Sequence, residues 1–259
     1  MSTGLIIPDG HINQDQDLFR FMPVGNLIVK RKPDWIVTMG DFLGMQSLSH
    51  WDKNKKVTIE GRRYRKDLAF GNCAMNMLLH PLIELQENQR KNHRPVYNPQ
   101  KYYLMGNHEA WYVKFIEDNP AMEGFVDPRE DLCLVERGFN IIEYKHYLEI
   151  ENVLFTHAVM NQAGKAIDGK MAIFRVFENT SKSIIFAHTH RKEGLCGRRQ
   201  GEENIIQVLT CGCYFEKDEP FTEGCANPFW RGVMLVNIYE PGRFDIEEIS
   251  ISRLYREYC

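Results

Sequence analysis

Asp9-Gly-His11, Gly40-Asp41, Gly106-Asn107-His108-Glu109, Thr156-His157 and His188-Thr189-His190 place carboxylate, amide and imidazole donors in five short clusters along the chain. Mixed oxygen and nitrogen donors without thiolate suit Mn²⁺, Fe or Zn²⁺ better than Ca²⁺ or a soft metal. Seven side chains, Asp9, His11, Asp41, Asn107, His157, His188 and His190, suffice for two divalent ions. Two ions about 3.5–4 Å apart clamp a phosphoryl oxygen while a hydroxide bridging them attacks in line. Coordination makes this possible by lowering the pKa of water from about 15.7 toward ~7. The expected chemistry is therefore phosphoester hydrolysis with water, not a side chain, as nucleophile.

Such clusters must be positioned by regular elements. Leu5-Ile6-Ile7, Trp35 to Met39, Tyr102 to Met105, Val153-Leu154-Phe155 and Ile184-Ile185-Phe186 have the length and composition of buried strands. Each donor cluster begins within two residues of the end of one of these runs. In layered α/β folds ligand sites assemble at the carboxyl edge of the sheet, so the five clusters are expected to converge on one crevice. Leu68, Met75, Leu78, Leu79, Leu82 and Leu85 share a helical face, with Pro81 expected to kink or break that helix. A second helix is expected from about Ala163 to Phe177, burying Ala163, Ala166, Ile167, Phe174 and Phe177. Strands alternating with helices point to an α/β layered fold. Gln86 to Gln100, rich in Asn, Gln, Arg and Lys and carrying Pro95 and Pro99, reads as a surface loop. Ile205 to Thr210, Gly232 to Ile238 and Phe244 to Ile251 read as strands of a second, more antiparallel sheet closing the domain.

With 259 residues, 43% of them hydrophobic, the chain can bury a full core, and one domain over 1–259 is expected. A formal charge of −3 gives no global footprint for polyanions, so attraction to phosphate has to be local. Seven scattered cysteines in a chain of this size fit a reducing compartment better than a disulfide scaffold. No apolar run approaches the roughly 18 residues of a membrane span, and no signal peptide is evident at the N-terminus. The cytoplasm is the expected location.

As an ordered set, the clusters resemble the motifs of the calcineurin-like metallophosphoesterase superfamily: Asp-x-His, Gly-Asp, Gly-Asn-His-Asp/Glu, a lone His and a closing His-x-His. The resemblance implies an α/β sandwich of two mixed β-sheets flanked by helices. It also implies roles. Asp9, His11 and His190 would hold one metal, Asn107, His157 and His188 the other, and Asp41 would bridge them. Manganese comes first among the ions, with iron, zinc, cobalt, nickel and magnesium as alternatives. His108 would protonate the leaving oxygen or donate a hydrogen bond to the phosphate. The sequence departs from the pattern where family members often carry an acid three residues after the bridging Asp to orient this histidine. Gly44 stands there instead, so orientation has to come from elsewhere, with Asp52 and Glu109 as the nearby acids. Thr156 and Ala187 also replace usual glycines, without removing a donor.

Lys53, Lys55, Lys56, Arg62, Arg63, Arg65 and Lys66 follow the Asp41 cluster closely. Arg62 and Arg63 are candidates to clamp an anionic substrate, against the plainer reading of a solvated loop and helix start. Arg191, Lys192, Arg198 and Arg199 carry the same ambiguity in an expected hairpin. His50-Trp51 and Phe229-Trp230-Arg231 offer rings, His50 and Trp230 among them, that could meet a nucleobase, although core or rim packing is the commoner use of such residues. Cys211-Gly-Cys213 reads as structural. The closing His-Thr-His resembles the branch of bacterial phosphodiesterases, nucleotidases and repair nucleases, including small phage and bacterial members, which implies the cytoplasm of a bacterium or of a phage-infected host. The expected substrate is a nucleotide or another small phosphomonoester or phosphodiester. A double-strand-break repair type of DNA nuclease is the alternative, for which about 70 residues after His190 leave little room for a DNA-capping region. A non-catalytic scaffold stands third, because every expected ligand is present.

Overall fold

The computed structural model describes residues 1–49, 52, 54–217 and 228–259. Along the chain run β1 (Ser2–Ile7), α1 (Phe21–Arg31), β2 (Trp35–Thr38), the single turn α2 (Lys56–Ile59), α3 (Tyr64–Lys91) and β3 (Gln100–Leu104). Next come α4 (Asn107–Asp118), the single turn α5 (Pro128–Asp131), β4 (Phe139–Ile142), β5 (Leu148–Ile150), β6 (Val153–Thr156) and α6 (Ala172–Asn179). The remainder is β7 (Ser183–Phe186), β8 (Lys192–Gly197), β9 (Ile206–Cys211), β10 (Gly232–Glu240), β11 (Arg243–Ser250) and α7 (Ile251–Tyr258).

Two mixed sheets result. The first has the order β11-β10-β1-β2-β3-β4, with β1 to β4 parallel and β10 and β11 added antiparallel at the β1 edge. The second has the order β5-β6-β7-β9-β8, in which β6, β7 and β9 are parallel. Alternation along β1 divides the core: Leu5 and Ile7 pack with Phe21, Leu27, Ile28 and Leu78 from α1 and α3, whereas Ile6 packs with Val37, Phe155, Ile185 and Met234 between the sheets. A third cluster joins Ile184, Phe186 and Val208 to Ala172, Ile173 and Val176 of α6. The layers are therefore helices, sheet, sheet, helix, the sandwich that the resemblance implies. Strands covered on both faces explain the uninterrupted apolar runs.

Three sequence expectations need correction. The helix at Leu68 to Leu85 continues through Pro81 to Lys91, so Gln86 to Lys91 is helical rather than loop. Burial of Leu78, Leu79 and Leu82 on either side of Pro81 offsets the backbone hydrogen bond that proline cannot donate. The helix expected from Ala163 begins only at Ala172, and Phe174 is exposed. Asn161 accepts hydrogen bonds from the amides of Ala163 and Lys165, and Gly164 and Gly169 take positive φ, which fixes a turn there instead. Finally, the three late strands do not form their own sheet: β9 joins β7, while β10 and β11 extend the first sheet. Among the described residues no helix is long and apolar enough to cross a membrane.

Candidate metal centre

Each donor cluster follows a parallel strand at its carboxyl end: Asp9 and His11 after β1, Asp41 after β2, Asn107 and His108 after β3, His157 after β6, His188 and His190 after β7. The strands end there because the chain turns sharply. His11, Asp41, His188 and His190 all have left-handed φ, between 43° and 66°, a conformation that costs a non-glycine residue energy and persists only where its surroundings hold it. Gly40, at φ 91°, precedes Asp41, and a Cβ there would come within 2.8 Å of the Gly106 backbone and of His157 Nδ1. The first and second sheets thus bring their loops into contact.

The seven side chains converge. The candidate ligand atoms of Asp9, His11 and His190 lie within 4.8 Å of one another, as do those of Asp41, His157 and His188, and those of His11, Asp41 and His108. His190 Nε2 is 3.0 Å from Asp9 Oδ2, and His157 Nε2 is 3.0 Å from Asn107 Oδ1. Asp41 Oδ1 accepts the His108 backbone N–H at 2.9 Å. Its Oδ2 faces three imidazoles, 3.4 Å from His157 and 3.8 Å from both His11 and His108. His157 Nδ1 lies 2.9 Å from the Met39 carbonyl, which can only accept, so the imidazole carries its proton there and turns Nε2 toward the cluster. These oxygen and nitrogen donors, buried except for the half-buried Asn107 and His188, suit divalent metal.

Charge follows geometry. Burial disfavours the Asp9 carboxylate, but the His190 hydrogen bond and the neighbouring His157 outweigh it and lower its pKa. Asp41 is held well below the carboxylate range, because His108, His157 and His11 overcome its burial. Burial pulls His157 down, yet Asp41 and Asp9 push it up to about 9. Loss of solvent around the half-buried His188, together with the neighbouring His157, lowers it to about 4.

Neither Asp52 nor Glu109 orients His108. Its Nδ1 donates to the Gly44 carbonyl at 2.8 Å, and Trp111 stacks on its ring with centroids 4.1 Å apart. A backbone carbonyl and an aromatic ring thus set the orientation of His108. Asp52 is committed to Lys55 and Arg62. Glu109, fully buried, accepts from the amides of Asp41, Leu43 and Gly106 at 2.9 Å each and from the Tyr103 hydroxyl at 3.1 Å, fastening the Asp41 loop to the start of α4.

Arg20, a lone arginine before a helix, gave no sequence signal. It is 0% exposed, donates through one Nη to the Gly10 carbonyl at 2.7 Å and through the other to the Asp17 carbonyl at 2.9 Å, and so backs the turn between Asp9 and His11. The Tyr214 amide holds the Asp9 carbonyl at 2.7 Å.

A cavity of about 810 Å³ opens over the cluster, and its wall includes Asp52, Lys55, Arg62, Trp111, Arg191 and Phe229. Arg63 is exposed and off that wall. Trp230 also lies off it, half-buried against the inter-sheet core with Lys192 over its ring. His50 and Trp51 lie outside the described residues.

No protein-family model and no curated protein matches the chain. Among solved structures it is similar to wild-type Vps29 complexed with zinc from Entamoeba histolytica, at 10% identity over 96% of this chain and 99% of that one, with a TM-score of 0.39. The phosphoesterase YfcE from E. coli shares 16% identity over 96% and 99% of the two chains (TM-score 0.38). A metallophosphoesterase from Sphaerobacter thermophilus shares 12% over 98% of each (TM-score 0.40).

Proposed function

We propose that this chain is a phosphoester hydrolase dependent on two divalent metal ions, acting on a nucleotide or another small phosphomonoester or phosphodiester. The observation that carries the reading is Asp41. One of its oxygens faces the imidazoles of both ligand groups, Asp9, His11 and His190 on one side, and His157 and His188 with Asn107 on the other. Bound there, the ions would supply Lewis-acid polarisation of phosphorus and water acidified for attack, with manganese the first expectation. His108, fixed by Gly44 and Trp111, presents Nε2 to the cluster and donates a hydrogen bond to the phosphate or a proton to the leaving oxygen. Arg62 and Arg191 on the cavity wall draw the anionic substrate in. A cytoplasmic location belongs to the same reading and rests on seven cysteines scattered through a chain too large to need stapling.

A screen of p-nitrophenyl phosphate, bis-p-nitrophenyl phosphate, all mononucleotides and single-stranded DNA, with Mn²⁺, Fe²⁺, Zn²⁺, Co²⁺ and Mg²⁺, tests the reading. Hydrolysis should require the metal and fall at least about 100-fold in Asp41→Asn. Full activity in that variant rejects the mechanism. Cleavage confined to DNA and weakening steeply with salt would mark a nuclease instead.

A further inference from the structure

Asp52 binds two cations at once. Its Oδ1 takes the Lys55 ammonium at 2.8 Å and its Oδ2 takes Arg62 Nη1 at 2.7 Å. Arg62 Nη1 also reaches the Gln46 carbonyl at 3.1 Å, and the turn at Gln46–Leu48 is tied to α3 by Asp67, which accepts from the Ser47 amide and hydroxyl. The trio is therefore anchored to the longest helix of the described chain, and all three members line the cavity that holds the histidine and aspartate cluster.

Two cations held side by side by one carboxylate leave a net charge of +1 and donors to spare. Arg62 makes both of these hydrogen bonds through Nη1, and among the described residues its Nε and Nη2 take no further acceptor. The Arg62 side chain is 17% exposed, which limits solvent screening, whereas Lys55 extends further into solvent. A guanidinium edge beside an ammonium matches the several oxygens of a phosphate better than a single carboxylate does. Because the shared carboxylate already restrains both long side chains, little further ordering is needed when an anion arrives. A substrate with one phosphate, seated at the metal cluster, leaves the surplus positive charge of this wall unmatched.

Resting on the proposed hydrolase reading, we infer that the Asp52–Lys55–Arg62 wall is a subsite for a second, non-reacting phosphate, so that the favoured substrates carry two phosphates rather than one. The shared chemistry is a second phosphate on the same molecule, as in a nucleoside bisphosphate or a dinucleotide.

The test compares KM of the Mn²⁺-loaded protein for thymidine 5′-monophosphate with thymidine 3′,5′-bisphosphate, and for the 5′-p-nitrophenyl esters of the two. The second phosphate should lower KM by about tenfold or more, the usual scale of charge-assisted contacts. In Lys55→Gln/Arg62→Gln that ratio should fall toward one, while Arg65→Gln, an exposed change off the cavity wall, keeps the wild-type ratio. Equal KM values within both pairs, or a ratio that survives the double substitution, overturns the subsite and leaves the hydrolase reading standing. If no substrate is turned over, the hydrolase reading fails, and calorimetric affinities of the same protein for the two nucleotides decide the subsite alone. A purely structural ion pair would change the unfolding midpoint of the double variant without changing the ratio. A dinucleotide arm separates the sources: a KM below that of the bisphosphate points to a strand, and one above it to a mononucleotide.

Discussion

Asp41 divides its two carboxylate oxygens between support and chemistry, one on the His108 amide and the other facing three imidazoles. That division depends on Glu109, which holds the backbone amides of Asp41, Leu43 and Gly106 and is itself held by the Tyr103 hydroxyl. Glu109→Gln keeps one acceptor and turns an amide NH₂ toward buried N–H donors. It should destabilise the protein by about 2–4 kcal/mol, read from the urea midpoint at constant slope; a change below about 0.5 kcal/mol would contradict the assigned role. Metal uptake offers a second measurement. His157 rises from its ordinary 6.5 to about 9, as the Asp41 and Asp9 charges overcome its burial, so the metal-free folded state holds a proton at pH 7 that a ligand must give up. Its contribution to metal-free stability is full below pH 6.5 and is lost as pH rises through about 9. Calorimetric titration with Mn²⁺ in two buffers of different protonation enthalpy should show about one proton released; buffer-independent heats would refute the assignment. At this scale, the donor clusters were legible because ligands need particular residue types at fixed spacing. The Gly44 carbonyl that orients His108 was not, since every residue offers a carbonyl and sequence does not say where it points. Arg20 escaped for a related reason: an arginine reads as surface, and only the fold buries it behind Gly10.

The strands deliver their residues to one edge, but the sharp turns after them set the geometry. Four of the candidate ligands sit at positive φ, so the loops are strained and depend on close backbone contacts for support. Gly40 is where this is tightest. Alanine there would meet the left-handed φ of 91° and also press its methyl to 2.8 Å from Gly106 and His157. Gly40→Ala should cost about 2–4 kcal/mol and weaken Mn²⁺ binding by more than tenfold. A variant that binds Mn²⁺ normally would show that the loop adapts and that the turn does not set the site. Elements were readable in proportion to their burial. Doubly covered strands announce themselves as apolar runs, and the sequence places five of them where they occur. The polar end of α3 looks like a loop in sequence because Asn, Gln, Arg and Lys on a solvated helix carry little hydrophobic periodicity. Strand pairing was harder still: β9, β10 and β11 look alike in sequence, and only tertiary register sends one to the second sheet and two to the first.

Across the whole molecule, the candidate ligands are shared between the two sheets. Asp9, His11, Asp41 and Asn107 come from loops of the first sheet, and His157, His188 and His190 from the second. Each proposed ligand group contains members of both, so an ion in either group ties one sheet to the other at the end of the sandwich where the loops meet. In the metal-free protein, Asp9 and Asp41 lie buried near each other, and the proton on His157 offsets only part of their charge. Filling the site removes that burden and adds cross-sheet bonds that the unfolded chain cannot make. Ligand at 100 times its dissociation constant stabilises by about 2.7 kcal/mol per site, which for a chain of this size corresponds to a rise in Tm of about 5–10 °C. The chelated protein should therefore melt well below the Mn²⁺-loaded one, and Asp41→Asn should lose most of the difference because its residue belongs to the cluster between the two groups. Amide exchange gives the spatial test: metal should slow exchange at residues 9–12 and 40–43 of the first sheet together with 157–160 and 187–191 of the second. Protection gained on one sheet alone would mean that the ion bonds within a layer, and the Asp41-centred site spanning the two layers would have to be abandoned.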